Sequence, residues 1–202
     1  MAPLLALDGP TRFYGRLVIE HATILVLGAG DGLVASALAS RGHEVLAVET
    51  SPSLRALIDA RRAKMAEPSL LQVLPDDLRT LALGRTFGLV IAPHQALGVA
   101  KSPDELGALF EVMASHLSDG GVFAFDALND PQSNEGARPR MVPHLRERSD
   151  AIYPLSPLRL SAQTLDDALE SVGLQARERF SDFNEAPFGP ESLMQLVIGG
   201  WA

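Results

Sequence analysis

The strongest chemical signal in the chain is Gly28-Ala29-Gly30-Asp31-Gly32. It follows a short apolar run, Thr23 to Leu27, and precedes a segment of helical character, Leu33 to Ala39. Glycines in such a turn let the backbone fold tightly and approach a ligand closely. The helix behind them presents its N-terminus to that ligand. Spacing then selects among ligands. A Walker loop is excluded, because no Gly-Lys-Ser/Thr follows. The dinucleotide pattern Gly-x-Gly-x-x-Gly needs a glycine where the chain has Leu33, and Gly32 comes one position early. The second signal is Glu49, which ends another apolar run, Glu44 to Val48. An acid there can accept both hydroxyls of a ribose; the competing reading is a surface acid favoured by a helix dipole. The third is His94, just after the run Phe87 to Ala92. Histidine titrates in the range useful for proton transfer, so His94 is the candidate general base. The plainer reading is a pocket-lining imidazole that only packs or hydrogen-bonds. Gln95 could orient an acceptor or cap the next turn.

The elements that must position these residues alternate. Thr23–Leu27, Glu44–Val48, Leu70–Leu74, Phe87–Ala92 and Val122–Phe125 read as short buried strands. Leu33–Ala39, Pro52 to about Lys64 and Asp104–Leu117 read as helices, with Ser51 as an N-cap and a turn at Gly120-Gly121. Such a pattern predicts an α/β fold: a mostly parallel sheet covered by helices on both faces. After Asp126 the pattern breaks, and 129–157 reads as a long loop or lid. A helix over Thr164–Val172 follows, then strands Leu174–Phe180 and Leu193–Ile198. No helix separates that last pair, so one strand should run antiparallel.

Composition narrows the function. The chain has 202 residues, 47% of them hydrophobic and 21% charged, and it reads as one domain spanning 1–202. Its net charge of -8 opposes phosphate backbones, which argues against nucleic-acid partners. It has no cysteine, so disulfides, thiolate metal sites and thiol nucleophiles are excluded. Met1 to Leu7 is apolar but short for a signal segment, and no run approaches the ~18 residues of a membrane span. A cytoplasmic location without membrane partners is expected.

Taken in order, Leu25–Gly32, Val45–Ser51, Leu74–Leu81, Phe87–Leu97 and Leu117–Asp126 resemble the class I S-adenosylmethionine-dependent methyltransferases, whose glycine turn is spaced Gly-x-Gly-x-Gly. Arg159-Leu160-Ser161, Thr164–Gly173, Asp182-Phe183 and Pro187-Phe188 resemble the closing segments of the small-molecule members. The resemblance implies a Rossmann-like, seven-stranded sheet with one antiparallel strand. It implies S-adenosylmethionine as cofactor, S-adenosylhomocysteine as product, and methylation of an oxygen or nitrogen of a small molecule. By position, Gly28, Ala29, Gly30, Asp31 and Gly32 would lie under the methionine part. Glu49 would hold the ribose, with Thr50 beside the adenine. Asp77 would accept from the adenine amino group and Leu78 would lie beside the ring. Ala92, Pro93 and His94 would line the methyl end. Two positions depart from the family: Val26 replaces a frequent acid two residues before the first glycine, and Gly88 replaces an Asp. The stretch before the first strand is short; Phe13-Tyr14 would supply part of the cover, with Tyr14 a substrate contact.

Magnesium-dependent relatives use an Asp after the fourth strand and an Asp-Asn pair after the fifth. Asp126, Asn129 and Asp130 exist here, but the first carboxylate does not, and no metal is expected. The lid gathers Arg138, Arg140, His144, Arg146 and Arg148. Arginine forks suit carboxylate or phosphate groups, so Arg138 and Arg140, with Tyr153, are candidates for admitting an anionic acceptor; pairing with local acids is the equal alternative. Two further functions stay open: a non-catalytic domain that binds cofactor or partner, and a nicotinamide-dependent oxidoreductase, which Leu33 disfavours. Oligomeric state is not written in the sequence.

Overall fold

The computed structural model describes residues 8–18, 22–130 and 159–202. Five parallel strands form the centre of the sheet: β1 (Ile24–Leu27), β2 (Val45–Val48), β3 (Leu71–Leu74), β4 (Phe87–Ala92) and β5 (Leu117–Asn129). Beyond them lie β7 (Leu174–Phe180) and β8 (Met194–Trp201), giving the order β3-β2-β1-β4-β5-β8-β7. The last strand, β8, runs antiparallel to both of its neighbours, as the missing helix between the final two strands requires. An eighth strand, the two-residue β6 (Arg159–Leu160), pairs with the end of β5.

Alternation along each strand builds two apolar layers. Ile24, Val26, Val45 and Ala47 pack with α1 (Gly9–Arg16), α2 (Leu33–Ala39) and Ile58 of α3 (Pro52–Arg62). Leu25, Leu27, Leu46 and Val48 point the other way, toward Phe110 and Met113 of α4 (Pro103–Ser115) and Leu165 of α5 (Ala162–Glu170). Side-chain caps set the helix starts: Asp8 for α1, Ser51 for α3, Ser102 for α4 and Ser161 for α5. The Ser161 cap starts α5 at Ala162, two residues before the expected Thr164, because its hydroxyl accepts from the Thr164 N–H. Helix α1 was not expected; it forms where Asp8 and Pro10 open a single amphipathic pair of turns.

The largest departure concerns β5. Val122–Phe125 was the expected strand, with a turn at Gly120-Gly121 before it and a loop from residue 129. Instead β5 starts at Leu117, opposite Phe87, and the glycines lie in an irregularity between that pairing and Leu89 opposite Val122. The strand also continues to Asn129, whose N–H donates to the Leu193 carbonyl at 3.0 Å and whose side chain donates to the Ser192 carbonyl at 2.8 Å. Pairing with β6 and β8, both distant in sequence, carries β5 past the end of its apolar pattern. Asp126 therefore lies within a paired strand, opposite Leu196. Likewise β8 runs on to Trp201, opposite Leu174. Among the described residues, no helix is long and apolar enough to cross a membrane.

Candidate functional site

The glycine turn, Glu49 and the His94 segment all fall at the carboxyl ends of β1, β2 and β4, where open parallel sheets bind ligands. Gly28, Gly30 and Gly32 have φ of 67°, 59° and 78°, the left-handed region that glycine reaches without strain. At Gly28 the need is also steric. A Cβ there would come 2.6 Å from Ala96 Cβ and 3.4 Å from Leu78 Cδ1. The glycine loop is thus in contact with the segments after β3 and after β4. The Ala29 N–H donates to the Val48 carbonyl at 3.0 Å, which joins the loop to the end of β2.

Glu49 braces this loop from the side. One carboxylate oxygen accepts from the Gly30 N–H at 2.9 Å and the other from the Ser51 N–H at 2.9 Å. A carboxylate offers about four acceptor sites, so about two remain for a vicinal pair of hydroxyls. Leu78, which is buried, supplies an apolar surface beside Gly28. A carboxylate with acceptor sites to spare, an apolar wall and a left-handed glycine loop are groups and a shape that an adenosyl moiety fits. Thr50 is exposed, and its carbonyl accepts from Arg55 at 2.6 Å.

Two acids expected at the cofactor hold internal partners. The Asp31 carboxylate accepts from Arg61 at 2.8 Å and from the Leu33 N–H at 3.2 Å. The Val26 side chain is packed among apolar residues with Phe13 and Tyr14. Asp77 accepts from the Arg79 guanidinium at 2.7 and 3.1 Å and from the Arg79 N–H at 2.9 Å. These hydrogen bonds lower its pKa to about 2, and its side chain is 43% exposed.

The other end of the site is built around a residue that the motifs did not single out. Asp126 is 2% exposed and accepts three hydrogen bonds: Tyr14 Oη at 2.6 Å, His94 N at 2.8 Å and Gln95 N at 2.9 Å. Burial raises its pKa, while the neighbouring His94 and the Tyr14 hydrogen bond act in the opposite direction. Tyr14 is fully buried, and burial and the Asp126 charge together hold its pKa well above the ordinary phenol value, so it stays a neutral donor. Its hydroxyl faces Asp126 rather than an open substrate surface. Ala92 and Pro93 are buried, and His94 and Gln95 both take φ of 59°. His94 Nε2 is buried and finds no hydrogen-bond partner among the described residues. Buried polar atoms are normally paired, so this nitrogen is free to bond a group from outside the described residues.

Asp126 could have been found in the sequence. It is the one acid inside Val122-Phe123-Ala124-Phe125-Asp126-Ala127-Leu128, and an acid in an apolar strand must have buried partners. Arg138, Arg140, His144, Arg146, Arg148 and Tyr153 lie outside the described residues. Among those described, no group of three or more His, Asp or Glu is arranged to hold a metal ion.

Comparison with known proteins agrees with this geometry. Residues 24–121 match the model of a methyltransferase domain. The chain is 34% identical over 157 residues to the cypemycin N-terminal methyltransferase of a Streptomyces species. That match covers 76% of this chain and 59% of the relative, so it takes in less than two thirds of the relative's length. In fold it matches the CcbJ methyltransferase from Streptomyces caelestis, with TM-score 0.80 and 20% identity over 100% of this chain and 93% of that one. The glycopeptide N-methyltransferase MtfA, complexed with S-adenosyl-L-methionine, matches with TM-score 0.69 and 19% identity over 98% of this chain and 96% of that one. Residues 24–121 match a methyltransferase domain, and the chain shares the fold of these methyltransferases.

Proposed function

We propose that the chain transfers the methyl group of S-adenosylmethionine to a nitrogen or oxygen of a small acceptor, with S-adenosylhomocysteine as product and nitrogen the favoured target. The observation that carries the reading is the pairing of a left-handed glycine loop with a Glu49 carboxylate that braces it and keeps acceptor capacity for a ribose. The preference for nitrogen rests on the names of the cypemycin and glycopeptide enzymes. The net charge of -8 supports a small acceptor rather than a nucleic acid. An anionic acceptor admitted by Arg138 and Arg140, a cytoplasmic setting and a single domain over 1–202 are parts of the same proposal.

Bound in this site, the sulfonium would supply the activated methyl group, and the chemistry is then in-line displacement. The protein's share is orientation and a dry pocket. Glu49 would accept the ribose hydroxyls, and Leu78 would pack on the adenine. Asp77 would accept from the adenine amino group after sharing its bonds with Arg79. Ala92 and Pro93 would line the methyl end. An ammonium acceptor has no lone pair until it loses a proton, and His94 Nε2 would take that proton.

The test is calorimetric titration with S-adenosylhomocysteine, with NADH as control, followed by transfer of labelled methyl from S-adenosylmethionine to a panel of amines and hydroxyl compounds. Micromolar binding of S-adenosylhomocysteine, none of NADH, and turnover on an amine are expected. Binding without turnover on any acceptor would replace the enzyme reading with a non-catalytic cofactor-binding domain. Failure of S-adenosylhomocysteine to bind would remove both.

A further inference from the structure

We propose that Asp126 is the positioning residue of the acceptor end: its carboxylate fixes the turn that carries His94 and Gln95, and Tyr14 ties that turn to the seating of helix α1. The consequence for catalysis rests on the methyl-transfer reading above; the hold on the turn does not.

The turn needs such an anchor. His94 and Gln95 are consecutive non-glycine residues at φ 59°, a region that L side chains seldom occupy. The two successive N–H groups point at one anion, the His94 N–H at one carboxylate oxygen and the Gln95 N–H at the other. That anion is the protein's own carboxylate, at 2.8 and 2.9 Å. Without it, both N–H groups would lack their acceptor, and nothing would offset the strain of two left-handed residues. The far end of the His94 ring is differently placed, because buried Nε2 has no partner. The backbone is fixed from behind, and the reactive nitrogen is left for a ligand.

The third donor makes the arrangement long-range. Tyr14 Oη reaches Asp126 from α1 across 112 residues of sequence. Helix α1 is seated by the connection between β7 and β8. Phe13 and Tyr14 meet the Phe183 ring edge-on at 5.9 and 6.4 Å between centroids. Arg12 donates to Asn184 at 2.5 Å, and Arg16 pairs with Glu185. Gly9 lies against Phe183, where a Cβ would come 3.0 Å from Phe183 Cβ. Any displacement of α1 therefore withdraws one of the three donors from Asp126.

The titratable groups that face Asp126 are Tyr14 from α1 and His94 after β4; β8 presents Leu196 across the ladder. Protonation would give Asp126 a donor among three donors and loosen the turn. The Tyr14 hydrogen bond favours the ionised form. Tyr14→Phe should then move the acid limb of kcat toward higher pH.

The experiment compares the full chain with Asp126→Asn and Tyr14→Phe. Three readouts are taken: the 1H–15N resonances of the His94 and Gln95 amides, S-adenosylhomocysteine affinity, and kcat and KM against pH on an accepted substrate. Asp126→Asn turns an N–H donor toward one of the backbone donors. Both amide resonances should leave their downfield, carboxylate-bonded positions. The expected loss of kcat is about 100-fold, the scale of a small misplacement of reacting groups, with cofactor affinity held within about threefold. Tyr14→Phe should keep most of kcat on the alkaline side and shift the acid limb upward. Unmoved amides in Asp126→Asn, or a Tyr14→Phe profile lowered equally at every pH, would overturn the proposal. Should Asp126→Asn fail to fold, Tyr14→Phe decides it alone. Should no acceptor be turned over, the methyl-transfer reading fails, and the amide shifts still decide whether Asp126 holds the turn.

Discussion

The two ends of the site are built on different length scales. At the cofactor end, Glu49 reaches Gly30 across 19 residues and Ser51 across two, and Asp77 closes on Arg79 across two. Each contact lies within one or two successive strand–loop–helix units. At the acceptor end, Asp126 gathers Tyr14 from 112 residues away and His94 from 32. That end exists only once α1, β4, β5 and the β7–β8 connection are in place. A contiguous string can therefore specify the loop that receives the cofactor. The geometry around the methyl group is a property of the closed fold. The difference also separates two kinds of charge. Glu49 accepts two hydrogen bonds and keeps acceptor capacity for a ligand, whereas buried Asp126 accepts three from the protein's own donors.

Gly28 lies against Ala96, in the segment after β4, and the largest effect should come from forcing the two apart there. Gly28→Ala places an L residue at φ 67° and a Cβ 2.6 Å from Ala96 Cβ. Left-handed strain and overpacking should together cost about 3 kcal/mol of stability. Adding Ala96→Gly should restore the steric share and leave about 1–2 kcal/mol of backbone strain. Chemical denaturation of the single and double variants checks this. Equal losses in both would mean that the two residues are not in steric contact.

Next in size is Glu49→Gln, which should weaken S-adenosylhomocysteine binding about 100-fold, since charge-assisted hydrogen bonds are worth about 1.5–3 kcal/mol each. The His94 and Gln95 amide resonances should not move. Unchanged affinity by calorimetry would show that Glu49 only braces the glycine loop.

A smaller effect should come from Phe183→Ala, which unseats α1 without touching the cofactor end. Phe183 is half-buried, so the loss should be about 2 kcal/mol, below the range for a fully buried ring. Hydrogen exchange should quicken in α1 before it does in β1 or β2, and S-adenosylhomocysteine affinity should change by less than about twofold. If exchange in α1 stays as slow as in the central strands, α1 is held by something other than the Phe183 contact.

The same difference in length scale governs what could be read from the chain. The strands ending at Leu27, Val48 and Ala92, the glycine loop and Glu49 all carry local signatures: a buried apolar run, a spacing and a strand-end acid. The antiparallel β8 was legible because no helix precedes it. Helix α1 has only eight residues, and its two buried aromatics leave too short a pattern to read. The continuation of β5 to Asn129 depends on partners near residues 160 and 193, which no local pattern announces. Tyr14 was expected as part of the cover and as a substrate contact, but its bond to Asp126 needs the whole fold. Asp31 and Asp77 were legible as acids at the right loops. Their partners, Arg61 and Arg79, show that position alone does not say whether a carboxylate faces the ligand.

The smallest expected effect is also the sharpest test of that last point. Asp77 could serve the adenine amino group or only its own turn. Its depressed pKa means that its contribution to stability is complete above the unfolded value near 3.8 and disappears as pH falls through about 2. At neutral pH the pair is intact, but it is exposed and contributes little to stability. Asp77→Asn should therefore leave the denaturation midpoint at pH 7 nearly unchanged. If Asp77 also accepts from the adenine, the same variant should weaken S-adenosylhomocysteine about three- to tenfold, the scale of one hydrogen bond to a charged partner. Arg79→Ala discriminates further. It releases Asp77 from its competitor, so affinity should hold or rise if the carboxylate is a ligand group, and fall if Arg79 is needed to shape the loop. Loss in Arg79→Ala with none in Asp77→Asn would assign the adenine to Leu78 and the backbone of the loop, and leave Glu49 as the one acid at the cofactor end that reads the ligand.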